Sequence, residues 1–201
     1  MDAKTTAIIL IGYQNDYFLP DGILHHALES SEAVRTVLDN SIKLIKQLHE
    51  SAVIFFNTPI VFTQGYSELT APVGILKTIK EVEAFKKGTL GSETIAELQQ
   101  FKDRIIDVPG KRGLNAFSNT SLESLLKAHN ITDVVLAGAV TSICIDTTGR
   151  TALDLGYQVT IIEDCCAGRS EFEQGFYCNE IFPLYARVLN SQQLLNELNE
   201  K

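Results

Sequence analysis

The stretch DVVLAGAVTSICIDTTGRTALDLG runs from Asp133 to Gly156, and its reading decides the fold. Val134, Val135, Leu136 and Ala137 form a short aliphatic run ended by Gly138, which predicts a buried strand. The residues from Cys144 to Gly156 predict a helix, so one strand feeds one helix across a five-residue passage. That passage puts a thiol where the helix begins. A free cysteine is among the most buried residue types and often only fills space. A helix N-terminus, however, presents unpaired N–H groups and a partial positive charge that favour a thiolate, so Cys144 is equally a candidate nucleophile.

Working outward, short β-branched or aliphatic runs alternate with longer segments of helical period, the pattern of a parallel sheet covered on both faces by helices. Strands are expected at Thr6–Gly12, Pro59–Gln64, Arg104–Val108, Asp133–Gly138, Gln158–Asp164 and Ala186–Leu189, giving a six-stranded, mainly parallel sheet in a three-layer α/β/α arrangement. Ser31 to Glu50 carries Val34, Val37, Leu38, Leu44, Ile45 and Leu48 along one face of a long helix. Thr120 and Glu123 stand at capping-box spacing before Leu125 and Leu126. SAVIFFNT, residues 51 to 58, reads either as the end of the long helix or as added strand. The C-terminal SQQLLNELNEK has an amphipathic helical pattern that suits docking on the sheet or on a second subunit. No repeat or Pro/Gly/Ser-rich linker divides residues 1 to 201, so one domain is expected.

Composition narrows the function. The 201 residues carry a formal net charge of −8, and no cluster of Lys and Arg offers phosphates a surface, so no nucleic-acid partner is expected. The first apolar run is broken by Tyr13, Gln14, Asn15 and Asp16, which argues against a signal peptide or a membrane partner and for a cytoplasmic protein. The four cysteines, Cys144, Cys165, Cys166 and Cys178, form no C-x-x-C pair and read as reduced thiols.

In open α/β sheets ligands bind beyond the carboxyl ends of the strands. The loops there include YQNDYF (Tyr13–Phe18), PGKRGLNAF (Pro109–Phe117) and the Cys144 passage. Lys111 sits in a Pro-Gly-Lys-Arg-Gly turn; directed into the crevice it would favour a thiolate and hold an oxyanion, and otherwise it is a solvated surface lysine. Backbone N–H groups at the helix start would stabilise a developing oxyanion. Phe18, Tyr66, Phe117 and Phe176 are pocket-wall or core candidates, and Gln64 lies in the same loop as Tyr66.

The segments AIILIGYQNDYF, KKGTLGSE, GKRGLNAFSNTSLESLL and AGAVTSICIDTTGRTALDLGYQVTIIEDCCAG, taken together and in this order, resemble the isochorismatase-like cysteine hydrolases. That superfamily includes nicotinamidases, N-carbamoylsarcosine amidase and isochorismatases, and the resemblance spans Thr5 to Gly168. It implies a Rossmann-like α/β domain, a homo-oligomer (dimer or tetramer), and a small-molecule substrate whose C–N bond is hydrolysed through a thioester without a cofactor. By motif, Cys144 matches the nucleophile and Lys111 the lysine before Asn115, Ala116 and Phe117. A cis peptide is implied between Ala139 and Val140, with the N–H groups of Val140 and Cys144 as the oxyanion hole.

One position departs from the family pattern. The family's first strand ends in an Asp that carries the proton between thiol and leaving group, and here that residue is Gly12. Asp16 belongs to the following Gln-Asn-Asp and is expected to tether the loop through backbone N–H groups. Loss of general acid–base help removes about 10² to 10⁴ in rate unless another group carries the proton. Tyr13, Asp16, Tyr66, Glu68 and Asp146 are the candidates in sequence, with a water or the substrate as the other route, and Gly12→Asp is expected to raise turnover if only the carrier is missing. No metal is expected, because TQGYSEL after the second strand lacks the Asp-x-His ligands that nicotinamidases carry, and His25, His26, His49 and His129 lie elsewhere. His25 and His26 suit either the rim of an entrance or a solvated loop. Two further readings stand beside hydrolysis: a catalytically impaired small-molecule binder on the same scaffold, and an unrelated flavodoxin-like domain, which the lack of a Gly-rich phosphate loop disfavours.

Overall fold

In the computed structural model, which describes residues 1–28 and 30–199, six aliphatic stretches pair into one sheet. They are β1 (Thr6–Ile11), β2 (Ile54–Thr58), β3 (Ile105–Asp107), β4 (Asp133–Ala139), β5 (Gln158–Ala167) and β6 (Arg187–Leu189). The order across the sheet is β3-β2-β1-β4-β5-β6, and every neighbouring pair is parallel. The helices are α1 (Asn15–Phe18), α2 (Ser31–Gln47), α3 (Gly74–Glu81), α4 (Ala96–Gln99), α5 (Leu122–Ala128), α6 (Asp146–Asp154), α7 (Glu171–Phe176) and α8 (Ser191–Asn199).

Strand alternation sorts the core. Ile8 and Leu10 of β1 face a cluster that holds Val34, Leu44 and Ile45 of α2 and Leu194 of α8. Ala7, Ile9 and Ile11 face the opposite cluster, with Leu122 and Leu126 of α5 and Ala152 of α6. This is the expected three-layer, Rossmann-like arrangement. The chain builds outward from β1 to β3, then crosses back to lay β4, β5 and β6 on the other side, so the direction reverses between β1 and β4. Ile11 and Gly138 pair at the ends of those two strands, and the segments leaving them start side by side. Open α/β sheets bind ligands at such a reversal.

Four boundaries differ from the sequence reading. The second strand is Ile54–Thr58, within the stretch left ambiguous, and not Pro59–Gln64. Pro59 lacks an N–H and ends the ladder, after which only isolated bridges form, Ile60 with Lys111 and Phe62 with Lys86. The long helix stops at Gln47 rather than Glu50. The capping box is not formed: the Thr120 hydroxyl donates to the Ala116 carbonyl at 2.6 Å and accepts from Leu122 N, and the N-cap is Ser121. The fifth strand runs on to Ala167, taking in Cys165 and Cys166. The C-terminal helix docks within the chain, on α2 and β5, with Asp164 accepting from the backbone N–H and hydroxyl of Ser191 at 2.8 and 2.7 Å; residues 200 and 201 of that segment lie outside the described residues.

Candidate active site

The end of β4 governs the site. Gly138 has φ +127°, and a Cβ there would lie 1.9 Å from the Ile11 carbonyl oxygen, so only glycine lets β1 and β4 approach this closely. The next peptide bond, Ala139–Val140, is cis. Thr141–Ile145 then forms a π-helical turn instead of entering the α-helix directly, and Cys144 sits on this turn, two residues before α6 begins. The N–H groups of Ile143 and Ile145 both donate to the Val140 carbonyl, at 3.1 and 3.2 Å. Among the described residues, the N–H groups of Val140 and Cys144 enter no backbone hydrogen bond outside the regular elements.

Lys111 arrives from the loop after β3. Gly110, at φ +111°, makes the bend; a Cβ there would strike the Asn119 carbonyl oxygen at 2.3 Å. Lys111 is 1% exposed, and its Nζ donates to the Cys144 sulfur at 3.6 Å. Two hydrogen bonds hold this loop against α6: Ala116 N–H donates to Thr148 Oγ1 at 3.1 Å and Asn115 Nδ2 to Thr151 Oγ1 at 2.9 Å. The Cys144 turn is fixed from its other side, where Thr141 Oγ1 donates to Gln174 Oε1 at 2.6 Å. Cys144 is 5% exposed and is not sealed in hydrocarbon, since a buried ammonium stands against its sulfur.

Gly12 follows β1 with φ +74°, where a Cβ would lie 2.7 Å from the Ala139 carbonyl oxygen and 3.6 Å from Cδ2 of Tyr17. The rescue expected of Gly12→Asp therefore has no room without movement of the β4 exit, because the chain here takes a conformation suited to glycine. The Gln-Asn-Asp that follows is a clamp. Gln14 bonds both the N–H and the carbonyl of Ile60, Asn15 donates to the Leu90 carbonyl at 2.7 Å, and Asp16 Oδ2 accepts from Phe85 N–H at 2.6 Å. Asp16 thus tethers a loop, as its place in the motif suggested.

The groups named in sequence as proton carriers are engaged elsewhere. The Tyr13 hydroxyl bonds Ser41 and the Cys165 carbonyl, and the Tyr66 hydroxyl donates to the Ala84 carbonyl at 2.8 Å. Glu68 accepts from Thr63, and Asp146 pairs with Arg150 and accepts from Tyr185. The structure instead brings Tyr17, which sequence reasoning passed over, beside Gly12, with Cδ2 of its ring 3.6 Å from where a Gly12 Cβ would be. Burial raises its phenol well above the ordinary value, with the charges of Cys144 and then Asp16 adding to the rise. No local signal marked it, because an aromatic residue on the one-turn helix that starts three residues after Gly12 reads in sequence as core.

The other expected pocket residues have partners of their own. Phe18 stacks on Tyr13 with centroids 5.0 Å apart, and Gln64 donates to the Lys87 carbonyl at 2.7 Å. Tyr66 packs on Phe62 at 5.5 Å. Phe117 packs on Tyr157, which precedes β5 and so lies at the opposite end of the sheet from Cys144. Phe176 stacks on Phe172, which is 80% exposed. His25 is buried, with Nδ1 3.0 Å from the Tyr17 carbonyl oxygen, while His26 lines a cavity of about 610 Å³ with Leu24, Ile75 and Arg169. Burial pushes the Cys165 and Cys178 thiols up to about 12 and raises the Cys166 thiol well above its ordinary value, so these three stay protonated and unreactive. Among the described residues no group of three or more His, Cys, Asp or Glu side chains is arranged to hold a metal ion.

A family model described as the Isochorismatase domain matches residues 6–193. The chain belongs to the isochorismatase family. An uncharacterized isochorismatase family protein of Escherichia coli O157:H7, YecD, is 30% identical over 202 residues, covering 98% of each chain. The ureidoacrylate amidohydrolase RutB of Acinetobacter baylyi is 27% identical over 212 residues, covering 96% of this chain and 83% of RutB. Among solved structures, a cysteine hydrolase from Pseudomonas syringae pv. phaseolicola 1448A superposes with a TM-score of 0.86 at 18% identity, over 100% of this chain and 95% of that one. The isochorismatase fold thus carries the Lys111–Cys144 pair where β1 and β4 part.

Proposed function

We propose that this isochorismatase-family chain hydrolyses a C–N bond of a small amide or ureido compound, with Cys144 as nucleophile. The observation that carries this reading is the 1% exposed Lys111 with its ammonium 3.6 Å from the Cys144 sulfur. A buried cation is tolerated beside an anion, and the sulfur becomes that anion as a thiolate. The thiolate adds to the substrate carbonyl carbon, and the N–H groups of Val140 and Cys144 receive the oxyanion. The C–N bond breaks to leave a thioester, which water hydrolyses. A substrate of amide or ureido type is supported by the likeness to RutB, whose name is ureidoacrylate amidohydrolase, and a cysteine mechanism by the fold shared with a cysteine hydrolase. The place of Gly12 at the end of β1 supports reading it as a replacement of the family's Asp. We assign the protein to the cytoplasm and to a homo-oligomer on the resemblance; among the described residues no helix is long and apolar enough to cross a membrane.

Alkylation tests the nucleophile. Iodoacetamide applied to the folded protein from pH 5 to 9, with the label located by mass spectrometry, is expected to mark Cys144 and spare Cys165, Cys166 and Cys178. Lys111→Met, which removes the ammonium 3.6 Å from the sulfur, should slow Cys144 labelling. Labelling of Cys144 no faster than that of a model thiol, and indifferent to Lys111, would favour instead a binding protein that has lost turnover, the reading that the glycine at position 12 motivates.

A further inference from the structure

The helical run that begins with α7 turns an aromatic face to solvent. Phe172 is 80% exposed and Phe176 43%, and their rings stack with centroids 6.0 Å apart and 11° between planes. The pair is anchored, since Phe176 meets Tyr177 at 6.0 Å and Tyr177 meets the fully buried Phe182 at 5.6 Å. Large aromatic side chains fixed in place yet left in water mark an association surface. Gly175 lies inside α7 without a positive φ, and outside the helix's own backbone a Cβ there would meet only Asn179 Nδ2, at 3.9 Å. A glycine inside a helix destabilises it relative to alanine, and among the described residues nothing asks for one here. Phe172, Gly175, Phe176 and Asn179 follow the i, i+3, i+4, i+7 spacing of one helix face, so the bare position opens the middle of that face to a second backbone.

The charges at its ends fit a copy of the same face. Arg169 precedes α7, with its side chain 59% exposed while Nε pairs with Glu173 at 2.8 Å. Glu180 stands exposed towards the other end, in the Tyr177–Ile181 turn that continues α7, and its side chain makes no hydrogen bond or ion pair among the described residues. A two-fold axis at Gly175 runs two such segments antiparallel and sets each Arg169 against the partner subunit's Glu180. We propose that this face is a two-fold interface with a second copy of the chain, its core made by Phe172 and Phe176 of both copies crossing at Gly175 and its rim by the two Arg169–Glu180 pairs. The inference rests on the homo-oligomer assigned above and names the surface that forms it. The same helix holds the Cys144 turn, since Gln174 Oε1 accepts from Thr141 at 2.6 Å, so interface and site share one element.

Sedimentation velocity between micromolar and tenth-millimolar concentrations, joined to a disulfide trap, tests the proposal. Wild type is expected as a dimer, or a tetramer built from it, and Phe172→Asp as a species of half that mass; the truncation Phe172→Ala raises the dissociation constant about 30-fold. Neither change touches the core, and an acid suits the first turn of a helix, so both variants should keep the wild-type circular dichroism. In a chain carrying Arg169→Cys and Glu180→Cys together, oxidised glutathione should link two copies through these positions, located by peptide mass. The two positions lie at opposite ends of one helical run and cannot bond within a chain. A wild type that stays monomeric overturns the homo-oligomer itself, and this interface with it. A wild type that associates, and still does so in Phe172→Asp, leaves the homo-oligomer standing and overturns this face as its interface. Failure of the double variant to cross-link overturns the antiparallel crossing at Gly175.

Discussion

A lysine amine removed from water needs a partner that rewards its charge, and at Lys111 the partner is a sulfur. The same economy of contact explains Gly12, whose φ of +74° and 2.7 Å approach to the Ala139 carbonyl oxygen exclude any side chain in the present geometry. Gly12→Asp is expected to destabilise the fold by about 1–3 kcal/mol, the usual cost of a non-glycine residue held in a sparsely populated conformation plus the displaced carbonyl. Urea unfolding of the variant measures it, and a variant as stable as wild type would mean that β1 and β4 relax apart. At this scale the sequence marked Cys144, Lys111 and Gly12, because each lies in a local motif. It passed over Tyr17 because nothing local distinguishes an aromatic residue in the core from one whose ring lies beside a glycine at a strand end.

Short elements hold the site by side-chain hydrogen bonds rather than by length. The one-turn α1 carries Asp16 to Phe85 N–H, and α7 reaches the Cys144 turn through Gln174 and Thr141. Glu173, also on α7, is raised by burial, but hydrogen bonds from Arg169 and Ser142 outweigh this and hold its carboxyl below the ordinary value of 4.5. A depressed carboxylate contributes stability that is present above its unfolded value and lost as pH falls through its folded one. Glu173→Gln is therefore expected to lower stability at pH 7 and to flatten the loss of stability on acidification below about pH 4.5, read from melting temperatures between pH 3 and 7. Parallel melting curves for wild type and variant would remove the ion pair from the account. Element existence was legible here from periodicity, while edges were not: β2 ends at Pro59 for want of an N–H, and the Thr120 hydroxyl found the Ala116 carbonyl before it could cap α5.

Across the whole molecule, the sheet provides rigidity and its reversal between β1 and β4 provides the crevice. Leu136 on β4 is fully buried and lies against Gly149 of α6, so Leu136→Ala should cost about 2–5 kcal/mol by leaving a cavity under the helix that follows the Cys144 turn. Leu184→Ala, at a side chain 78% exposed, should change stability by no more than about 0.5 kcal/mol. Chemical denaturation of the pair tests whether the layer between β4 and α6 carries the load assigned to it; equal losses would contradict that packing.

By itself the sequence determined the parallel α/β class, the strand-to-helix passage at Cys144 and the family resemblance, since hydrophobic period and motif spacing are local and survive without coordinates. Only the tertiary structure decided which distant groups meet. Lys111 and Cys144 come from different strand ends, Phe117 goes to the far end of the sheet, and Tyr17 folds back beside Gly12. Those outcomes depend on how the chain crosses the sheet and which buried polar atoms find partners, and no window of neighbouring residues contains that information.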